Sequence, residues 1–153
     1  VLCHFDFETR NLMVLENGNA GVLDFQDATF GPIFLDPVAL FKDLYFELSE
    51  KEIDNMLREY ISRSAELNLI EKLDVQKVRK SFDLTGLQRQ LRILGTLARL
   101  HLRDGKVFRL PDLTKTLHFV IETSSKYVEL KDVAEYLKKK VAPALSLTLK
   151  GIL

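Results

Sequence analysis

Several features are scarce in this 153-residue sequence. A single cysteine, Cys3, excludes an intramolecular disulfide and fits a reducing, cytoplasmic compartment. Net charge is also lacking, because 22 basic side chains balance 22 acidic ones. A nucleic-acid-binding domain normally has a basic excess, so the composition does not favour that class of partner. No apolar run reaches the roughly 20 residues of a membrane-spanning helix, so no membrane association is expected.

Apolar residues are plentiful by comparison. They make up 46% of the chain, which is enough to form a core in one domain of ordinary size. The sequence opens with Val1 and enters a dense motif at once, without a preceding structural element. We therefore expect residues 1–153 to be one part of a larger polypeptide.

A β-hairpin is predicted near the start. Two short apolar runs, residues 12–15 and 21–23, flank the pair Asn17-Gly18. Asn-Gly between apolar runs is a strong hairpin signal because both residues tolerate a positive φ. The two runs should therefore pair as antiparallel strands.

About five helices are predicted after the hairpin. Asp36 as N-cap and Pro37 at the first helical position should open one that runs to about Phe46. Ser49 and Glu52 form a capping box for the second. The remaining helix starts and ends are Asp74, a break at Gly86, Asp104-Gly105, Pro111 and Lys131. Pro143 should end or kink the last helix. This order predicts an α+β fold that is mostly α with a small β-hairpin.

One motif near the start of the chain indicates a catalytic function. His4, Asp6 and Asn11 have the spacing H-x-D-x-x-x-x-N, which is the spacing of a kinase catalytic loop. Phosphoryl transfer needs a carboxylate that accepts the proton of the attacking hydroxyl, and an amide oxygen that helps to hold Mg²⁺. The pattern predicts Asp6 as the base and Asn11 as a metal ligand. His4 is expected to brace the backbone rather than to carry a proton.

A second motif follows at a suitable distance. Asp24 lies directly after the second predicted strand, within Leu23-Asp24-Phe25, where kinases place a metal-binding aspartate. The predicted hairpin should bring Asn11 and Asp24 side by side. Two motifs joined by a hairpin indicate an enzyme that uses Mg²⁺ and ATP much more strongly than either motif alone.

The run from His4 to Asp43 resembles the core of the aminoglycoside phosphotransferase and choline kinase superfamily. The strings GVLDFQDATFGP and GLQRQLRILGTLARLHLRDGK are similar to those of the bacterial N-acetylmuramate/N-acetylglucosamine kinases, which are anomeric sugar kinases of cell-wall recycling. The resemblance implies the C-terminal lobe of a protein-kinase-like fold over residues 1–153, without the N-terminal nucleotide-clamping lobe. It also implies Asp6 as base, Asn11 and Asp24 as metal ligands, and Asp36 as support for the catalytic loop.

Phe5 departs from this pattern, because the sugar kinases usually have arginine there. The residue at that position takes no direct part in the proposed reaction. The function implied is phosphorylation of an N-acetylated amino sugar by an ATP- and Mg-dependent cytoplasmic transferase. Aminoglycoside or other small-alcohol kinases stay open as alternatives, as does a catalytically inactive helical interaction module.

Three further residues are ambiguous from the sequence. Asp27 could contact the metal or the sugar, or could equally cap the loop at Gly31-Pro32. Arg89 and Arg92 share a predicted helix face, which either binds an anionic substrate or is simply solvated. Without its N-terminal lobe, the chain should expose apolar residues near Leu2, Leu23 and Phe25, and this surface could support a homodimer.

Overall fold

The computed structural model describes residues 1–70 and 75–152, and it divides the chain into two compact units, Val1–Gly86 and Leu87–Leu153. The chain is mostly helical with short antiparallel strands, so the predicted fold class is confirmed. Within the described residues, none of the helices combines the length and apolarity needed to cross a lipid bilayer. The predicted helix cap at Asp74 lies outside the described residues.

Two small antiparallel pairs form the β region of the first unit. β1 (Leu2–Cys3) pairs with β4 (Thr29–Phe30), and β2 (Leu12–Val14) pairs with β3 (Ala20–Val22). The β2–β3 pair is the predicted hairpin, with Leu12 opposite Val22.

The hairpin turn differs from the expected one. Of Asn17 and Gly18, only Gly18 has a positive φ, at 79°. The Gly18 N–H donates to the Leu15 carbonyl at 2.8 Å, and the Leu15 N–H donates to the Asn19 carbonyl at 2.8 Å. This is a three-residue loop that ends in a left-handed glycine, so glycine is required at one position only.

The first helix, α1 (Leu35–Phe41), begins one residue before the predicted N-cap Asp36 and ends five residues before the predicted end at Phe46. Asp36 therefore lies inside the first turn, and its carboxylate is used elsewhere. The helix stops early because Asp43 forms hydrogen bonds with other segments, including the Tyr45 N–H at 3.1 Å. Such side-chain bonds compete with helix continuation.

The second helix, α2 (Glu50–Glu66), begins with the predicted capping box. The Ser49 N–H donates to Glu52 at 2.7 Å, and the Glu52 N–H donates to the Ser49 hydroxyl at 3.3 Å. The apolar side of α2 packs into the core of the first unit. That core contains Phe34, Val38, Phe41, Ile53, Leu57, Val78 and Phe82.

The third helix, α3 (Val75–Asp104), is continuous, so the predicted break at Gly86 is wrong. A Cβ built at Gly86 would lie 3.5 Å from Val38, which shows that α1 packs closely against this part of α3. Packing against α1 offsets the low helix propensity of glycine. The predicted end at Asp104 is confirmed, and Gly105 follows with a φ of 65°.

The second unit contains the rest of α3, α4 (Pro111–Ser125), α5 (Lys131–Tyr136) and α6 (Ala142–Ile152). Pro143 does not end the last helix. A π-helical turn, Leu137–Val141, precedes it, and the Ala142 N–H donates to the Leu137 carbonyl. The wider turn fits the proline, which lacks an N–H and would crowd a regular α-helix. Buried Leu97, Leu110 and Leu113 form the centre of this unit.

Candidate active site

The loop from His4 to Asn11 is held at its beginning by Asp36. One carboxylate oxygen of Asp36 accepts the His4 N–H at 2.7 Å, and the other accepts the Phe5 N–H at 2.9 Å. Phe5 has a φ of 76°, a conformation that costs energy for any residue with a Cβ. The two hydrogen bonds that Asp36 accepts hold the backbone in this strained shape, directly before Asp6.

The end of the same loop is held by a second carboxylate. Thr9 opens a short 3₁₀ turn, Thr9–Asn11. Its N–H and its hydroxyl both donate to Oδ2 of Asp43, at 2.9 and 2.7 Å. Burial acts to raise the pKa of Asp43, but the hydrogen bonds from Thr9, Tyr45 and Leu44 outweigh it and lower that pKa. Sequence reasoning missed this contact, because no local pattern links an aspartate after a helix to a loop 34 residues earlier.

Two contacts join the loop to the segment that carries Asp24. The His4 Nε2 atom lies 2.8 Å from the Leu23 carbonyl, and the Leu23 N–H donates to the Asn11 carbonyl at 2.9 Å. Both motifs are therefore parts of one site. Asp24 itself has a φ of 63°, and this second strained residue directly follows the hairpin.

The side chains of Asn11 and Asp24 suit a magnesium ion. The amide nitrogen of Asn11 donates to the Asp6 carbonyl at 2.8 Å, so the amide oxygen remains for a metal. One oxygen of Asp24 accepts a bond from Gln26 at 2.7 Å. No cluster of three His, Cys, Asp or Glu ligands occurs among residues 1–70 and 75–152. Two oxygen donors fit Mg²⁺, which usually keeps several waters and takes further oxygens from substrate phosphates.

Cys3 and Asp27 flank this arrangement. Cys3 is buried, and burial is the main cause that raises the pKa of its thiol, so it serves as a small core residue rather than a nucleophile. Asp27 lies on the exposed segment between β3 and β4. The Gly31 N–H donates to the Val1 carbonyl at 2.9 Å, so this amide does not need Asp27 as a cap.

The two arginines singled out from the sequence lie in the second unit and differ from each other. Arg92 is exposed, but Arg89 is only 3% exposed, so the interpretation of both as one solvated face is wrong for Arg89. Leu91, two residues after Arg89 on α3, is 44% exposed. On this part of α3 the arginine is therefore buried while the leucine is exposed. A substrate contact by Arg89 or Arg92 stays a prediction.

The comparison with protein families agrees with this geometry. Residues 1–74 match the model of the phosphotransferase enzyme family. This part of the chain is similar to that family. The match contains every phosphotransferase site residue proposed above in the first unit, from His4 to Asp36.

Similarity to individual phosphotransferases extends over most of the chain. The chain is 39% identical over 132 residues to a protein of Neisseria meningitidis, and the alignment covers 85% of this chain and 39% of the relative. It is 33% identical over 144 residues to a protein of Pseudomonas putida, covering 94% of this chain and 42% of the relative. Both relatives are named N-acetylmuramate/N-acetylglucosamine kinase. The chain thus spans about two fifths of the length of these relatives.

Proposed function

We propose that this chain is the catalytic lobe of a longer ATP- and Mg-dependent kinase that phosphorylates an N-acetylated amino sugar. In this proposal the nucleotide-clamping lobe belongs to another part of the protein. The chain by itself should then turn over far more slowly than about 1 s⁻¹, the low end for kinases, because phosphoryl transfer depends on positioning and electrostatics.

The observation that carries the proposal is the contact between His4 and the Leu23 carbonyl at 2.8 Å. It joins the loop with the proposed base to the segment with the proposed metal ligand. An isolated H-x-D-x-x-x-x-N pattern would be weak support, whereas two motifs connected in space support a site that combines a base with metal ligands.

The proposed roles follow from exposure and chemistry. Asp6 is exposed, so its carboxylate can reach a sugar hydroxyl and accept the proton as the oxygen attacks the γ-phosphorus of ATP. The bond from phosphorus to the bridging oxygen breaks, and ADP leaves. Asn11 and Asp24 would hold Mg²⁺, which neutralises charge on the phosphates. Asp36 keeps Asp6 in place through its bonds to His4 and Phe5.

The identity of the acceptor is supported by the names of the relatives and by the local acids. A polycationic aminoglycoside would favour a pocket lined by carboxylates. Four acids of the first unit are candidates for the lining of such a pocket: Asp27, Asp43, Glu47 and Asp83. Asp43 and Asp83 are buried and already engaged, by Thr9 and Lys42 respectively. Because these two carboxylates are not available to bind ammonium groups, an uncharged or anionic sugar is favoured over an aminoglycoside as the acceptor.

A substrate competition tests the proposal. The full-length protein is offered equal concentrations of N-acetylmuramate, N-acetylglucosamine and kanamycin with Mg-ATP, and kcat/KM is compared. We expect one or both sugars to be phosphorylated with much the higher kcat/KM. A preference for kanamycin would overturn the acceptor assignment alone. No phosphorylation of any of the three would support the alternative of an inactive interaction module.

A further inference from the structure

We propose that Asp43 is a positioning residue that fixes the metal-binding end of the catalytic loop. This inference rests on the proposed function, because it assigns Asn11 to the metal. Asp36 and Asp43 lie on either side of α1, one in its first turn and one just after its end. Each carboxylate accepts backbone N–H groups from the same loop, Asp36 near its beginning and Asp43 near its end.

The rigidity of α1 makes this arrangement effective. Its residues Leu35, Val38, Ala39 and Phe41 are buried in the first unit. A buried helix cannot shift without repacking its neighbours, since protein interiors are close-packed. The two carboxylates at its ends therefore set the separation between the two ends of the loop.

The contact from Asp43 acts on the turn that contains Asn11. The Leu12 N–H donates to the Thr9 carbonyl, so Thr9 closes the turn around Asn11. Oδ2 of Asp43 accepts hydrogen bonds from both the N–H and the hydroxyl of Thr9. These bonds hold the backbone and the side chain at the start of this turn. The Asn11 amide in turn donates to the Asp6 carbonyl. Moving Thr9 would thus redirect the amide oxygen of Asn11.

The environment of Asp43 supports a role as an ionised anchor. The side chain is only 3% exposed, and it accepts a third bond from the Tyr45 N–H at 3.1 Å. Hydrogen bonds to a carboxylate are stronger than those to a neutral acceptor. Groups that orient metal ligands in this way typically change metal affinity by about 10- to 100-fold when they are removed.

Three variants of the full-length protein test the inference. Thr9→Val keeps the backbone bond to Asp43 but removes the hydroxyl, Thr9→Ser restores the hydroxyl, and Asp43→Asn weakens the acceptor. Thr85→Val is the matched control, because the Thr85 hydroxyl bonds to the Ser81 carbonyl on α3, outside the loop. The measurements are the Mg²⁺ concentration for half-maximal rate, the KM for the sugar, and Mn²⁺ affinity in the presence of ATP by electron paramagnetic resonance.

We expect Thr9→Val and Asp43→Asn to raise the Mg²⁺ requirement and weaken Mn²⁺ binding about tenfold, without changing the KM for the sugar. Thr9→Ser and Thr85→Val should behave like the unmodified protein. Unchanged metal affinity in Thr9→Val would overturn the inference, even if Asp43→Asn failed to fold. If no sugar is phosphorylated, the proposed function fails, while Mn²⁺ binding still decides the role of Asp43.

Discussion

The ammonium group of Lys42 lies 3.0 Å from the carboxylate of Asp83, and both side chains are almost completely buried. Lys42 follows α1, and Asp83 lies on α3. Arg79 donates to the same carboxylate at 3.2 Å, and it also pairs with Glu50 and Asp54 of α2. The charged groups thereby connect all three helical segments that support the candidate site in the first unit.

Replacing Lys42 tests the importance of this buried pair. Lys42→Met should reduce the free energy of unfolding by about 3 kcal/mol, because the buried Asp83 loses one of its cations. Urea unfolding gives the value. Arg63→Ala, which removes an exposed ion pair with Glu59, is the control and should cost under about 1 kcal/mol. Equal effects of the two variants would show that burial does not strengthen the Lys42 pair.

The dependence of folding stability on pH should reveal the contribution of the ionised Asp43 carboxylate. Its pKa is lowered in the folded chain, so its stabilising contribution is present above the unfolded pKa of about 3.9. That contribution is lost as the pH falls through the lower folded pKa. Asp43→Asn should therefore be less stable than the unmodified chain at pH 6, and the difference should shrink below about pH 4. Chemical unfolding at both pH values measures it, and a constant difference would contradict the assignment.

The proposed base and metal ligand should respond differently to substitution. In the full-length protein, Asp6→Asn should nearly abolish turnover but leave Mg-ATP binding mostly intact, because Asp6 acts on the acceptor hydroxyl. Asp24→Ala should also weaken Mg-ATP binding, because a metal ligand is lost. Calorimetric titration with Mg-ATP compares the two. Identical nucleotide affinities and residual rates would show that the roles are wrongly assigned.

The exposed apolar residues of the β region predict self-association of the isolated chain. Leu2 faces Phe30 across the β1–β4 pair, and Phe30 is 82% exposed. Phe25 nearby in sequence is 66% exposed. Patches of this kind favour association. Light scattering at increasing concentration should detect dimers or larger species, and Phe25→Ser with Phe30→Ser should reduce them. A strictly monomeric chain at high concentration would contradict this prediction.

Local features of the chain could be predicted because their causes lie within a few residues. The capping box of Ser49 and Glu52, the hairpin around Gly18 and the end of α3 at Gly105 all depend on short-range hydrogen bonds or on glycine conformation. The spacing of His4, Asp6 and Asn11, with Asp24 after the hairpin, indicated the chemistry for the same reason.

Other features depended on contacts between segments distant in the sequence. α1 ends at Phe41 because Asp43 bonds to Thr9 and Tyr45, and α3 continues through Gly86 because α1 packs against it. The periodicity of α3 did not show whether the Arg89 side chain is buried or exposed, since an apolar pattern does not identify which polar residues become buried.

The sequence by itself determined the mostly helical fold and the positions of most helix boundaries, and it predicted the class of chemistry. Only the tertiary structure decided how the catalytic loop is held, because Asp36 and Asp43 reach it across more than 30 residues of intervening chain. Short motifs predict which groups react. Their relative placement depends on the burial of α1 and on hydrogen bonds between distant segments, which form only when the chain has folded.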